Sequence, residues 1–242
     1  MSRALVVVDQ IFASVEGAYN QSLLQDFILS TVFANAAARA SRNAAAESAN
    51  DAFRNEWSSA LGQLGWVVSS AGVTQLSSYS GRSVTTLARN IDAAISSPAI
   101  AGALDALEGL TQSKDTDAAK LTDMWWRAGA QADPFYASIA VVDLTGDNPV
   151  GEFAQFTVDM NALEIKDDGI LLPSDKPLDP TSAKALFTEV LARSIRMTNY
   201  QIKAELQLEQ FQSQRSTLID RLGSKVFDHF ETQPLGLYGD PS

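Results

Sequence analysis

The chain has 242 residues, of which 29 are acidic and 18 basic, giving a formal net charge of −11 and a pI near 4.5. A field of that sign repels nucleic-acid phosphates and anionic lipid headgroups, so neither is an expected partner. The complete absence of cysteine excludes disulfides, thiolate metal sites, cysteine nucleophiles and S-acylation.

With 45% hydrophobic and 19% charged residues, the composition is that of an ordinary globular protein. A body of this length buries roughly 70–75% of its unfolded surface without disulfide or metal staples. The apolar run Ala4-Leu5-Val6-Val7-Val8 is too short for a secretory h-region, and no small-residue cleavage site comes after it, so no Sec-type signal is expected. The cellular address stays open between the cytoplasm and export by another route. No stretch approaches the roughly 18–20 consecutive apolar residues of a spanning helix.

From Leu5 to Tyr19, the apolar positions Leu5, Val8, Phe12, Val15 and Tyr19 recur every three or four residues, a spacing that predicts a first helix. Asn20-Gln21-Ser22 interrupts it, and Ser22 suits the N-cap of a second helix. Leu23, Leu24, Phe27, Ile28, Val32, Phe53, Trp57, Leu61 and Leu64 thread onto about forty helical residues with at most one break, free of proline and glycine before Gly62. The alanine-rich interval Ala34 to Ala52 has high helix propensity and small side chains that favour a close helix contact.

Gly62 and Gly65 suit a helix stop, and the β-branched, aromatic run from Trp66 to Leu76 begins a strand. No formal charge occurs between Glu56 and Arg82. Such neutral Ser/Thr-rich stretches also occur in membrane-inserting hairpins, but the expectation is a central strand of a soluble sheet. Val84, Leu87, Ile91 and Ile95 return to helical spacing. Pro98 fits the first turn of a helix carrying Ile100, Leu104, Leu107 and Leu110. A short helix is expected over Ala118 to Ala130, where Trp125 and Trp126 point about 100° apart.

From Phe135 the period changes to two. Phe135 to Leu144 and the alternating Phe153 to Met160, joined by the turn Gly146-Asp147-Asn148-Pro149, predict an antiparallel hairpin. Asp167-Asp168-Gly169 is a second turn, Pro173 to Pro180 an irregular loop, and Lys184 to Arg193 fits helix and strand equally. Tyr200 to Glu209 alternates as a strand with one wet face. The last helix places Phe211, Leu218, Leu222, Val226 and Phe230 on one face, with Arg215, Asp220, Arg221 and Lys225 on the other. These elements define an α+β fold, with long N-terminal helices packed on a mainly antiparallel sheet and a C-terminal amphipathic helix. It is expected as a single domain over residues 1–232, with a loosely ordered tail over 233–242.

Chemistry is sparse. The single histidine, His229 beside Asp228, sits near a helix C-terminus where an imidazolium suits the dipole, and no Gly-x-Ser-x-Gly elbow accompanies it. One histidine without cysteine leaves zinc and iron without their usual ligands. Asp143, Asp147 and Asp159 flank the hairpin turn but match no EF-hand spacing, and turn aspartates ordinarily bond their own backbone. Neither a dinucleotide-binding glycine pattern nor a P-loop is present. A carboxylate pair for acid–base work leaves no local spacing to read. No catalytic, cofactor-binding or metal-ligating residue is nominated.

Two segments resemble a known group. Trp57 to Val68, reading WSSALGQLGWVV, and Arg215 to Phe230, reading RSTLIDRLGSKVFDHF, are similar to bacterial proteins grouped with the Evf-type virulence factor. The resemblance implies an intertwined α+β fold with an antiparallel sheet. That family's membrane association uses an acylated cysteine, which this chain lacks, and no catalytic residue transfers. The leading expectation is therefore a non-enzymatic bacterial interaction or virulence-associated protein acting through its surface and through self-association or a protein partner. A membrane-acting, pore-forming-like toxin and a hydrolase with unmarked carboxylates are the alternatives.

Overall fold

A computed structural model describes residues 4–8, 11–17, 19–44, 49–79, 98–112, 116, 135–158, 195–222 and 232–234. The elements, in chain order, are β1 (Ala4–Val8), β2 (Ile11–Glu16), α1 (Gln21–Ala44), α2 (Ala49–Gln63), β3 (Trp66–Tyr79), α3 (Pro98–Gln112), β4 (Phe135–Asp143), β5 (Val150–Val158), β6 (Ile195–Leu206), α4 (Leu208–Leu222) and β7 (Thr232–Pro234). The strands form one seven-stranded sheet in the order β3-β6-β5-β4-β2-β1-β7. All neighbouring pairs are antiparallel except β2 with β4, which run parallel with Ile11 opposite Ser138 and Glu16 opposite Asp143. The expected α+β class with a mainly antiparallel sheet is the one observed.

The helix expected over Leu5 to Tyr19 is instead the β1–β2 hairpin, with Val8 opposite Ile11. Its residues are buried on both faces: Leu5, Val6, Val7, Ile11, Phe12 and Ala13 are all fully enclosed. A strand covered on two sides shows a continuous apolar run without alternation, and a three- or four-residue spacing can be picked from it by accident.

The two faces separate cleanly. Ala4, Val6, Ile11, Ala13, Val15, Ala140, Val142, Phe153, Ile202, Ala204 and Leu206 belong to one buried cluster with side chains of α1, α2 and α4. The alternate set, including Leu5, Val7, Phe12, Ile139 and Phe156, is also buried and lies on the other face, where α3 packs against β2, β4 and β5. Pro98 opens α3, and Ile100, Leu104, Leu107 and Leu110 are its buried stripe.

The long helical stretch is described in two parts, α1 to Ala44 and α2 from Ala49; residues 45–48 lie outside the described residues. Asn20 caps it in place of Ser22: its Oδ1 accepts the Ser22 amide at 2.8 Å, and its carbonyl accepts the Leu24 amide at 3.0 Å. Ala34, Ala38 and Ala60 are buried where α1 and α2 meet. The small residues bring the helices close enough for the buried Trp57 Nε1–H to donate to Asn35 Oδ1 at 2.9 Å. Trp57 and Trp66 each meet Phe153 edge-on, at 5.4 and 5.5 Å between centroids, while Phe27 stacks on Phe153 at 6.1 Å. The aromatic knot sits over Gly151, where a Cβ would come within 2.5 Å of the Phe153 ring, so the ring folds down onto the bare backbone.

Gln233 and Pro234, expected in a loose tail, belong to β7 and pair with Leu5 and Ala4. The helices expected over Val84 to Ile95 and Ala118 to Ala130, the turns and loop from Asp167 to Pro180, the ambiguous Lys184 to Arg193, His229, and residues 235–242 lie outside the described residues.

Candidate functional site

β3 is the feature that the general rules of soluble proteins do not explain. Its start is firmly held. α2 ends at Gly65, which takes a positive φ of 95°; a Cβ there would sit 3.2 Å from both the Gln207 carbonyl oxygen and Gln210 Cβ. The Gly65 carbonyl accepts the Gln207 amide at 2.9 Å, tying the exit of α2 to the β6–α4 junction. Trp66 comes next, buried opposite Leu206 and packed edge-on against Phe27 at 6.4 Å.

Beyond Trp66 the strand leaves the core. It runs for 14 residues at one end of the sheet order, and among the described residues it pairs with β6 alone, which makes it an edge strand of the described sheet where the sequence predicts a central one. Val67, Val68 and Val73 are 56%, 41% and 49% exposed, and Ser69, Ser70 and Ala71 are exposed beside them. The register slips between Val68 and Ser70, leaving Ser69 as the extra residue of a bulge. Its hydroxyl donates to the Lys203 carbonyl at 3.1 Å, so the carbonyl keeps a donor where the ladder shifts.

Against β6, the register puts Trp66, Val68, Ala71 and Val73 on the face that carries Leu206, Ala204, Ile202 and Tyr200. Tyr200 is itself held there: its hydroxyl is 3.0 Å from Ser58 Oγ, and the Arg54 guanidinium lies 5.5 Å above its ring. On the opposite face Lys203 pairs with Glu152 at 2.7 Å, an exposed contact worth roughly 0.2–1 kcal/mol. The charged pair therefore belongs to β5 and β6, and β3 carries none.

Two polar groupings were candidates for chemistry. Asp26 of α1 is fully buried, and its Oδ1 and Oδ2 accept the Arg215 Nε–H and a Gln212 Nε2 hydrogen, both at 2.7 Å. Arg215 also donates to Gln25 Oε1 at 3.3 Å. Arg215 thus turns toward α1 from the apolar side of α4, four residues after the buried Phe211 and three before the buried Leu218, and not onto the solvent face expected from its charge. Both Asp26 oxygens and Gln25 Oε1 accept from donors on α4, which makes the network a tie between helices.

At the hairpin turn, the Asp143 carboxylate accepts the Thr145 hydroxyl at 2.6 Å and the Thr145 amide at 2.9 Å. The hydroxyl bond, then the amide bond, hold its pKa below the ordinary carboxylate value against a small opposing effect of burial. This is the self-bonding turn aspartate that the sequence suggested. Among the described residues no group of three or more His, Cys, Asp or Glu gathers as metal ligands; Asp159 lies outside them. An open groove of about 210 Å³ runs between α1, the end of α2 and α4, lined by Phe33, Leu64, Leu218 and Arg221 among others.

No family model matches the chain, and no curated protein matches it. Among solved structures it shows a weak resemblance to the structure of the Evf virulence factor, with 13% sequence identity, 92% of this chain and 82% of that chain covered, and a TM-score of 0.31. No residue role passes from that protein to this one. Among the described residues, no helix is long and apolar enough to cross a membrane.

The sequence singled out the neutral stretch but not its place in the sheet. The signal that marks an edge was present: β3 mixes serine, glycine and threonine with its valines and lacks the near-continuous apolar content of β1 and β2.

Proposed function

We propose that the protein is a non-enzymatic interaction protein that engages another polypeptide by strand addition at β3. The observation that carries this reading is a 14-residue strand at the edge of the described sheet, exposed at Val67 to Ala71 and at Val73, within an interval, Trp57 to Gly81, that contains no charged residue. An outer strand has a row of backbone donors and acceptors facing away from its neighbour, and soluble proteins ordinarily blunt such a row with lysine, proline or brevity. β3 has no lysine or proline and is long; its register shifts, at Ser69 and between Ser77 and Tyr79, interrupt the row at two points and leave Ser70 to Ser77 in unbroken register. Backbone hydrogen bonds would supply affinity, and Val68, Ala71 and Val73 would supply the side-chain contacts on one face.

The test compares wild type with the variant Val68→Lys/Val73→Lys in affinity capture and in size-exclusion chromatography with light scattering. Both valines are exposed, so the variant folds, and it is expected to lose protein contacts that wild type makes. Wild type and variant behaving alike in both measurements overturns the reading. Co-sedimentation of both forms with lipid vesicles, in place of protein contacts, also overturns it.

A further inference from the structure

We infer that the polypeptide added at β3 is a second copy of this chain, the two β3 strands pairing antiparallel about a two-fold axis into one continuous sheet; this rests on the strand-addition reading above. Charge selects the occupant. Each copy carries −11, so two copies meeting over most of their surface bring acid against acid. The interval Trp57 to Gly81 has no charge of either sign, and it is where two like-charged bodies can touch without burying repulsion. A foreign partner chosen by an acidic protein would be read by its positive charge, and the edge offers no carboxylate to read it. An isologous contact needs no opposite charge, only a surface that complements itself.

The backbone restricts how β3 can complement itself. A two-fold axis relating antiparallel strands stands perpendicular to the sheet, so each face continues into the same face of the other copy. Centred on Gly72, this sets Ala71 of one copy opposite Val73 of the other, twice, on the face that carries Val68 and Val73. On the other face, Ser70 stands opposite Thr74 and Gly72 opposite Gly72. Ala71 with Val73 is apolar with apolar and Ser70 with Thr74 hydroxyl with hydroxyl, pairs that suit an antiparallel ladder, and Gly72 opposite Gly72 lets the two backbones meet without side chains. The bulge at Ser69 bends the strand and bounds the paired segment at its N-terminal side.

The absence of cysteine makes the geometry directly measurable. A Cβ added at Gly72 meets nothing within 4 Å, and the same holds at the exposed Gly62 on α2, so Gly72→Cys and Gly62→Cys are tolerated single-thiol probes. Treated with a short bis-maleimide, Gly72→Cys is expected to give a covalent dimer on a denaturing gel, several-fold more than Gly62→Cys. Light scattering is expected to show a dimer for wild type and a monomer for Val73→Lys, whose circular dichroism stays that of the folded wild type. Added salt is expected to strengthen the dimer, because it screens repulsion between the copies, whereas contact with a cationic partner would weaken. Wild type that stays monomeric at high micromolar concentration, or equal cross-linking at the two positions, overturns the inference. If that monomer still captures another polypeptide and Val73→Lys loses it, self-pairing fails while strand addition stands. If Val73→Lys changes neither behaviour, both fail.

Discussion

The two ends of the sheet are built on opposite plans. At one end β1 is covered by β7, three residues long and ending in Pro234, and proline and brevity are what keep an edge from recruiting another strand. At the other end β3 runs 14 residues without proline or charge. Among the described residues, one edge is closed by the chain itself, and the other has a strand on one side only. The same contrast divides β3 along its own length, since Trp66 is rooted in the core while Val67, Val68 and Val73 stand in solvent.

That division gives the largest expected effect. Trp66 is 2% exposed and packs against Phe27 and Phe153, so Trp66→Ala is expected to cost about 3–5 kcal/mol in chemical denaturation. Val73→Ala, seven residues along the same strand, is expected to stay within about 0.5 kcal/mol. Equal losses at the two positions would show that Val73 is packed into the protomer's own core as Trp66 is, and would erase the contrast between the root of β3 and its outer part.

The next effect tests whether the helical layer over β6 depends on the buried Asp26–Arg215 ion pair. Arg215→Met leaves the enclosed Asp26 carboxylate with Gln212 alone. Removing one partner of a buried pair typically costs about 3–5 kcal/mol; Arg215 is itself 26% exposed, so about 2–3 kcal/mol is expected. Replacing both partners, Asp26→Leu with Arg215→Met, is expected to recover most of the loss. A double variant no more stable than the single one would show that the pair is wanted for its charge.

A smaller effect is expected at the hinge that launches β3. Gly65→Ala places a Cβ at positive φ and against the Gln207 carbonyl, at a cost of about 1–3 kcal/mol. The disturbance falls at the anchored root, so the association of β3 should survive wherever the variant is folded. Loss of association in a folded Gly65→Ala protein would mean that the hinge sets the angle of the edge.

Which elements are legible in the sequence depends on which faces are covered. β6 and the β4–β5 hairpin show a period of two or turn chemistry, and α1 and α2 a proline-free apolar stripe with the alanines at their contact, so sequence and structure agree there, except that β6 begins earlier, at Ile195, and Leu208 and Glu209, read as the end of that strand, open α4. They disagree at β1 and β2, because Leu5, Val6 and Val7 are all enclosed and burial on both faces removes the alternation that identifies a strand. Charge alone puts Arg215 on the wet face of α4; its partner Asp26 lies 189 residues away, and no local pattern announces a pair so distant. Ser22 loses the cap to Asn20 by two positions, both being residues whose side chains accept amide hydrogens. For the candidate site, the uncharged interval is visible, but whether a strand is central or at an edge is a property of pairing order, which the local sequence records only through composition.

The smallest expected effect lies at the β4–β5 turn, in the middle of the sheet and away from either edge. The Asp143 carboxyl is held below its ordinary pKa of 3.8 chiefly by the Thr145 hydroxyl and then by the Thr145 amide. A carboxyl depressed in the folded state adds stability above its unfolded pKa, and that contribution is lost as pH falls through the lower folded value. Thr145→Val removes the hydroxyl bond and keeps the amide bond, so the pKa of Asp143 is expected to rise toward the ordinary value without reaching it. The group is exposed and the change in stability correspondingly slight, so carboxyl NMR titration is the measurement to make. Association at β3 should be indifferent to this substitution at every pH, because Asp143 is on β4 with β5 and β6 between it and the edge. A dimer that weakened as Asp143 became protonated would place part of the contact outside β3, and the division between an open edge and a closed interior would have to be redrawn.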